Sequence, residues 1–378
     1  MFRCEIIADS ENPQGDRLTS FLVTYPRIVH AEMLRHRMFS RNVASSRAIP
    51  FKKMVKDVEE NPFIPIAWQK DHKGMQGSEY IDSDKLYNWG EIHSIIKNKF
   101  LVNFEEDKSQ MSKLFDTYVI PLYNTSSPMT IVDWWLKIKD LMIGCAIVLY
   151  GFGATKQLCN RLLEPFMWTT ELVSGTEWEN FFELRCPKYY YKPEGIYFKS
   201  KKDWLKYFEY CFGELPPEPI PIIEWLQINQ SQAEIHIQKI AEMMWDAYNE
   251  SEPKKLERGQ WHIPFSDNLD YDSKEVDVKY YELRICTARA ARLSYTTLGD
   301  NPKIDYKADI KLHDRLLKSE HWSPFEHCAR AMTKEEYETY YRGELSKGLE
   351  YFHPSDEKMG WCRNFRGFIQ YRHLIEEK

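Results

Sequence analysis

The stretch RHRMFSRNVASSRAIP, residues 35–50, holds the densest cluster of chemically active side chains in this chain of 378 residues. Arginine suits phosphate because its planar fork donates two hydrogen bonds at once and stays charged. Serine hydroxyls and free helix-end amides add donors without adding charge. Apolar residues interleave with the charges, so the stretch is expected to abut the core, where unpaired arginines are costly. The sequence predicts an anion receptor here, and the alternative is a solvated basic face.

The net charge of the whole chain hides this cluster. Lys and Arg number 51 against 57 Asp and Glu, a formal net charge of -6. Within residues 27–53, however, seven basic residues stand against the single acid Glu32, which is a local surplus of +6. The negative net charge of the whole chain argues against a protein that coats nucleic acid. If the surplus serves a ligand, we expect Arg35, Arg37 and Arg47 to be substantially buried and to converge on one cleft.

Composition and segment lengths limit the class of protein further. Hydrophobic residues at 43% and aromatic residues at 15% argue against disorder. We find no secretory signal, and the longest nearly uncharged apolar run, residues 141–153, is too short to cross a bilayer. Eight scattered cysteines without a CxxC pattern are expected to be reduced thiols of a cytoplasmic protein. Neither a metal site nor a membrane partner is predicted, and a nucleic-acid partner is not expected.

Hydrophobic periodicity predicts a mixed set of elements. Strands are predicted at 20–26 and 278–286, and helices over 28–39, 106–150, 156–166 and 309–319. Capping boxes, in which hydroxyl and carboxylate satisfy free helix amides, are predicted at 176–179 and 231–234. The helix after the second box carries apolar Ile237, Ile240, Met244 and Ala247 on one face. Because strands and helices do not alternate in a βα rhythm, the predicted fold class is α+β.

Two further segments were considered as sites. HWSPFEH, residues 321–327, places two imidazoles and a carboxylate around a turn that proline fixes, so the three side chains can point into one cleft. Each histidine alone is more often structural than catalytic. Residues 151–156 lack the spacing of a phosphate-binding loop and are predicted to form a turn between helices.

Together these motifs resemble those of the flavin-dependent thymidylate synthase family. RHR, seven residues, then Ser-x-Arg is that family's signature, and here it is Arg35-His36-Arg37, Ser45 and Arg47. Further blocks resemble family motifs: KQLCNR at 156–161, WENFFELR at 178–185, QAEI at 232–235, AARLSY at 290–295 and HWSPFEH. The last two blocks usually precede RHR, so the chain resembles a circular permutation of the family, which preserves a fold when the old termini lie close together.

The resemblance implies one catalytic domain over residues 1–378, with a central antiparallel or mixed sheet and long helices. Insertions are expected at about 51–105, 186–228 and 334–360, similar to enlarged versions in large bacteriophage genomes. Family members are homotetramers with active sites at subunit interfaces. They methylate dUMP to dTMP with the methylene of 5,10-methylenetetrahydrofolate and a hydride from FAD, which NADPH reduces. If a phage encodes the chain, the host cytoplasm is its expected location.

Site residues follow from the resemblance by position in the motifs. The residues implied in catalysis are Arg35, His36, Arg37, Ser45 and His321. Those implied in binding FAD are Arg35, His36, Arg37, Asn180, Ser294 and Ser323. Those implied in binding dUMP are Glu32, Ser45, Arg47, Arg161 and Arg185.

Four positions depart from the family pattern and keep alternatives open. Glu32 stands where a glutamine usually faces the substrate, and Val43, Thr176 and Gln230 replace a glutamate, an arginine and a histidine. One alternative is a relative that installs another C5 group, such as hydroxymethyl, on dUMP or dCMP. A second is a nucleotide-binding or nucleic-acid-binding protein that keeps the scaffold without catalysis.

Overall fold

A computed structural model describes residues 1–72, 77, 79–102, 117, 127–216, 219–295, 305–340 and 359–376. Strands and helices are mixed along the described chain, which agrees with a mixed α and β fold at the level of class. The predicted helical segment 106–150 and the expected insertion 334–360 lie partly outside these residues.

The strands form one larger sheet and several small ones. Their bounds are β1 Arg3–Glu11, β2 Arg17–Pro26, β3 Ser40–Val43, β4 Trp68–Gln69, β5 Tyr80–Ile81, β6 Trp168–Gly175, β7 Tyr189–Tyr191, β8 Ile196–Phe198, β9 Lys254–Lys255, β10 Trp261–His262, β11 Ala329–Ala331, β12 Trp361–Cys362, β13 Phe365–Arg366 and β14 Phe368–Gln370. The larger sheet has the order β3-β6-β2-β1-β9. Its pairs are antiparallel except that β9 runs parallel to β1. Strand β3 therefore lies at one edge of this sheet.

Helices flank the sheets. Their bounds are α1 His30–Leu34, α2 Phe51–Glu60, α3 Trp89–Val102, α4 Ile131–Gly151, α5 Lys156–Cys159, α6 Glu179–Arg185, α7 Lys201–Phe212, α8 Ile222–Ile228, α9 Ile235–Glu250, α10 Val278–Arg292, α11 Tyr306–Lys318, α12 Lys334–Thr339 and α13 Tyr371–Glu376. Short 3-10 turns cover Arg27–Val29, Asn160–Phe166, Ser266–Asn268, Leu293–Tyr295 and Ser323–Glu326.

The main core lies between the larger sheet and helices α6 and α9. Phe21 of β2 and Phe181 of α6 are fully buried there with Ile237, Ile240 and Met244 of α9. Burying apolar surface at this spacing is what holds an amphipathic helix against a sheet. The predicted strand at 20–26, the helix with this apolar stripe and the turn near Gly153 are confirmed.

Four predicted features are wrong: one strand, two capping boxes and the length of one helix. Residues 278–286 are helical, because the Asp277 side chain caps the helix by accepting from the Tyr280 amide and α10 packs on α11. Neither predicted capping box forms. Thr176 instead accepts from the amide of Arg366, and Glu234 is itself the N-cap of α9.

The helix predicted over 28–39 ends at Leu34. Residues 40–43 then become strand β3, because the edge of β6 offers a partner: Ser40 pairs with Ser174, and Val43 with Glu171. Pairing along an available strand edge satisfies the backbone groups that a longer helix would otherwise satisfy. The basic segment therefore runs from a short helix through a turn into the edge of the sheet.

Candidate functional site

A buried ion pair holds the basic segment, residues 35–50, against the larger sheet. Arg41, on β3, bonds to the Glu171 carboxylate at 3.0 Å. Its second terminal nitrogen donates to the carbonyls of Met33 at 2.6 Å and His36 at 3.0 Å. The Glu171 side chain is fully buried, and only 12% of the Arg41 side chain is exposed. Arg41 therefore holds the turn in place and is not available to a ligand.

The same carboxylate organises a second pair of groups. The Tyr25 hydroxyl donates to Glu171 and also hydrogen-bonds to Nδ1 of His30 at 2.7 Å. Burial first, and then the charges of Arg27 and Arg41, lower the pKa of His30 to about 3. His30 is therefore neutral at pH 7, and the network holds the start of α1 against the sheet.

His36 is the residue of the RHR motif that points inward. Its side chain is buried, and its ring packs edge-on against Phe181 with centroids 5.0 Å apart. Nε of Arg185 donates to Nε2 of His36 at 2.9 Å. Burial first, then Arg185 and Arg41, lower the pKa of His36 to about 4. The ring is therefore neutral at pH 7 and, since Nε2 accepts, it carries its proton on Nδ1.

Glu32 and Arg35 belong to the same neighbourhood. Burial and the charge of Arg35 lower the pKa of Arg185, while Glu32 opposes that shift. One carboxylate oxygen of Glu32, Oε2, is buried and has no hydrogen-bond partner in the described part of the chain. A buried acceptor without a partner is costly, so this oxygen is suited to accept a hydrogen bond from a ligand.

The loop after β3 is held from two sides. The amide of Ser45 donates to the carbonyl of Ser294 at 3.2 Å, and the Ser45 carbonyl accepts from the amides of Ala48 and Ile49. The fully buried Asn160 donates to the carbonyls of Ser46 at 2.6 Å and Ile49 at 3.0 Å. Motif residues that are far apart in sequence thus meet at this loop.

Two side chains of residues 156–164 add further contacts to the loop after β3. Lys156 donates to the carbonyl of Ala48 at 2.8 Å, and the Ser46 hydroxyl donates to Glu164 at 2.5 Å. Asn42 of β3 donates to the carbonyl of Ala290 at 3.1 Å. The 3-10 turn Ser323–Glu326 also packs against β3. The described structure therefore gathers four motif blocks around the edge strand.

The predicted cluster at 321–327 does not form a single cleft. His321 is exposed, and Glu326 pairs with Arg372 at 2.6 Å. His327 is fully buried, where Nδ1 bonds to Ser174 at 2.9 Å. Burial, with a smaller contribution from His262, lowers the pKa of His327 to about 3. The three side chains therefore point to three different places.

His327 belongs to a buried chain of hydrogen bonds that joins two sheets. Ser174 bonds to Ser20 at 2.5 Å, Ser20 to Nε2 of His262 at 2.8 Å, and Nδ1 of His262 to Ser10 at 2.9 Å. This chain ties the block around 327 to the back of the larger sheet and so fixes its position beside β3.

The predicted burial of the three arginines is wrong for the single chain. Arg35, Arg37 and Arg47 are all exposed, as are Asn180, Arg161 and His321. Ser45, Ser294, Ser323 and Arg185 are half-buried. The arginines are exposed because they lie on turns that flank an edge strand, where solvent occupies one side. The outcome matches the solvated arrangement that was stated as the alternative.

The sequence analysis missed the residues that hold the basic segment and the loop after β3 in place. Arg41, Glu171, Tyr25 and Asn160 were assigned no such roles. One signal was present: Glu171 interrupts the otherwise uncharged strand WTTELVSG, residues 168–175. A carboxylate at a buried strand position needs a partner, and Arg41 is that partner.

Comparisons of the chain with protein-family models, curated proteins and solved structures return no match. Among the described residues, no group of three or more His, Cys, Asp or Glu side chains is placed to hold a metal ion. In the same part of the chain, no helix is both long enough and apolar enough to span a membrane. All eight cysteines lie within the described residues, and all are free thiols.

Proposed function

We propose that this protein is a flavin-dependent thymidylate synthase that converts dUMP to dTMP with 5,10-methylenetetrahydrofolate. The observation that carries the proposal is the meeting of separate motifs at one edge strand. His36 contacts Arg185, and Ser45 contacts Ser294, across large distances in sequence. A shared site requires such a meeting, because its residues must lie within reach of one ligand.

Exposed cations surround this meeting point. Arg35, Arg37, Arg47 and Arg161 present their guanidiniums to solvent. Their planar forks suit the phosphate of dUMP and the pyrophosphate of FAD. Ser294 and Ser323 are half-buried, and their hydroxyls are neutral donors. This donor set fits a flavin dinucleotide and a nucleotide phosphate.

The chain's own contribution is binding and orientation. Bound FAD, reduced by NADPH, would supply the hydride, so no cysteine nucleophile is required. Burial raises the pKa of Cys186, Cys286 and Cys328, which keeps these thiols protonated and weakly nucleophilic. Neutral His36, with its proton on Nδ1, offers one N–H donor beside the arginines.

A homotetramer is part of the proposal. In a single chain the arginines have solvent on one side, and a ligand held there would be only partly enclosed. A neighbouring chain that covered the edge strand would enclose ligand and guanidiniums together, which strengthens each charged hydrogen bond.

Two observations favour other functions. The unpartnered oxygen of Glu32 favours a relative that acts on dCMP, because a carboxylate accepts from the amino group of cytosine. The exposure of Arg35, Arg37 and Arg47 favours a solvated basic face, which would suit a relative that keeps the scaffold without catalysis.

Two measurements on the purified protein separate these functions. A visible spectrum, taken before and after addition of FAD, should show bound flavin. Incubation with 5,10-methylenetetrahydrofolate, NADPH and either dUMP or dCMP, followed by mass analysis of the nucleotide, should give dTMP from dUMP. Flavin uptake with a product from dCMP supports the C5-modifying alternative. No flavin and no product would leave the non-catalytic alternative.

A further inference from the structure

The C-terminal segment, residues 361–376, lies beside the basic segment although it belongs to none of the motifs. Its sequence WCRNFRGFIQYRH, residues 361–373, is basic and aromatic. Strand β14 of this segment pairs with β11, which follows the block at 321–327. The proposed function assigns the segment no role, and its contacts reach two of the proposed binding elements.

A tight hairpin carries Asn364 to the basic segment. Strands β12 and β13 pair around a two-residue turn of Arg363 and Asn364. Arg363 has a φ of 58°, and such turns require a positive φ at their first central residue. Its guanidinium forms an ion pair with Glu376 of α13, and Phe365 beside the turn is fully buried. The tip of the hairpin is therefore anchored on both sides.

Asn364 hydrogen-bonds to the turn that carries RHR, residues 35–39, which we call the RHR turn. Its Nδ2 donates to the carbonyl of Met38 at 3.2 Å and to the hydroxyl of Ser40 at 3.1 Å. Nε2 of the fully buried Gln370 donates to Oδ1 of Asn364 at 2.8 Å and to the same hydroxyl at 3.1 Å. Because a carbonyl only accepts, Nδ2 must face Met38 and Oδ1 must face Gln370. Both neighbours thus fix the orientation of the Asn364 amide.

The backbone around the RHR turn is now held at three carbonyls. Arg41 of β3 bonds to the carbonyls of Met33 and His36. Asn364 adds the carbonyl of Met38 from the C-terminal segment. The two exposed arginines of the RHR motif lie between these anchored positions in the chain.

The same segment also holds the block at 321–327. Arg372 donates to the carboxylate of Glu326 at 2.6 Å, and the amide of Tyr371 donates to the carbonyl of Cys328 at 2.9 Å. The RHR motif and Ser323 of this block are both among the proposed FAD-binding residues. One segment therefore ties together two elements that must bind the same cofactor.

We propose that Asn364 is a positioning residue for the flavin site, because through the carbonyl of Met38 it holds the arginines of the RHR turn in the geometry that binds FAD. The inference rests on the proposed function and adds to its site a residue outside the motifs. A binding group whose backbone is fixed beforehand loses less conformational freedom when the ligand binds. Loss of the Asn364 bond should weaken flavin binding although Asn364 itself does not touch the ligand.

Flavin titrations of Asn364→Ala test the proposal. We expect the dissociation constant of FAD to rise about three- to tenfold, as for loss of one neutral hydrogen bond. Asn364→Ser should behave alike, because its shorter side chain does not reach Met38. Asn249→Ala is the control: it also removes an amide bond to a backbone carbonyl, that of Trp245 at 2.8 Å on α9, and should leave the affinity unchanged. Thermal unfolding should show that all three variants fold.

The pKa of His36 gives a second readout that needs no flavin. Burial, Arg185 and Arg41 hold that pKa at about 4, and a loosened RHR turn should let it rise toward 6.5. Histidine-ring NMR titrations should show this rise in Asn364→Ala and not in Asn249→Ala. A protein that takes up no flavin overturns the proposed function. FAD binding that Asn364→Ala leaves unchanged, or a His36 pKa that stays at about 4 in that variant, overturns only this inference.

Discussion

Nε of Arg185 donates to Nε2 of His36 at 2.9 Å, across 149 residues of sequence. The contact joins the turn between α1 and β3 to the end of α6. It fixes the tautomer of His36 and places the guanidinium of Arg185 beside Glu32 and Arg35. This contact therefore holds the basic segment, residues 35–50, against the end of helix α6.

The pKa of His36 should report this contact. Burial, Arg185 and Arg41 hold that pKa at about 4, so removing Arg185 should raise it toward 6.5. The rise should be partial, since burial is the largest cause. Histidine-ring NMR titrations of Arg185→Ala and of Arg161→Ala, an exposed control, measure it. An unchanged His36 pKa in Arg185→Ala would show that the contact does not form in solution.

The exposed arginines should contribute to ligand binding and not to the free energy of unfolding. Arg35→Ala, Arg37→Ala and Arg47→Ala should each change the free energy of unfolding by less than about 0.5 kcal/mol. Each should weaken dUMP or FAD binding about tenfold or more, because a charged hydrogen bond is worth about 1.5–3 kcal/mol. Calorimetric titration measures both ligands, and Lys56→Ala on α2 is a control for loss of charge. Affinities that match the unmodified protein would indicate a solvated basic face.

The Arg41–Glu171 pair should carry a large part of the local stability. Arg41→Ala leaves a fully buried carboxylate without its cation, and breaking a buried pair in this way costs about 3–5 kcal/mol. Arg41→Lys keeps the charge but loses the bonds to Met33 and His36, so its cost should be smaller.

Urea unfolding of both Arg41 variants gives these differences directly. An exposed pair provides the comparison: Lys56 and Glu60 lie 3.8 Å apart on α2, and Lys56→Ala should cost less than about 0.5 kcal/mol. Equal effects of Arg41→Ala and Lys56→Ala would contradict the buried pair.

Acid should destabilise the protein well above the range in which carboxylates titrate. Burial lowers the pKa of both His262 and His327 from 6.5 to about 3. The unfolded chain therefore binds more protons than the folded one between pH 6.5 and 3, so stability is lost as pH falls through that window. One such histidine costs up to about 2 kcal/mol at pH 5.

Urea unfolding of the unmodified protein at pH 7 and pH 5 measures this loss. His327→Asn keeps an acceptor for Ser174 and should reduce the difference between the two pH values, even if it lowers stability at pH 7. His321→Gln, at an exposed position, should leave the difference unchanged. A stability that is flat between pH 7 and 5 would contradict buried neutral histidines.

The spacing of apolar residues was sufficient to predict an element where tertiary packing agreed with it. The strand at 20–26 and helix α9 follow from apolar periodicity, because each buries one continuous face against a single neighbour. The motif residues, from Arg35 to Ser323, could be named from sequence because their chemistry and spacing do not depend on folding, and their roles stay predictions.

The tertiary structure decided what periodicity left ambiguous. Residues 278–286 carry strand-forming side chains, but the Asp277 cap and packing against α11 make them helical. Residues 40–43 became a strand because β6 had a free edge beside them. Propensity is a weak local term, and a hydrogen-bonding partner far away in sequence outweighs it.

By itself, the sequence determined that this chain carries a local basic surplus inside an acidic protein, with motifs at fixed positions. Only the tertiary structure decided how that surplus is divided. Arg41 is buried because a carboxylate on the neighbouring strand pairs with it, and Arg35, Arg37 and Arg47 face solvent because they flank an edge. Whether a charged side chain is buried depends on which groups the fold brings within a few ångströms of it. The order of residues along the chain does not contain those distances.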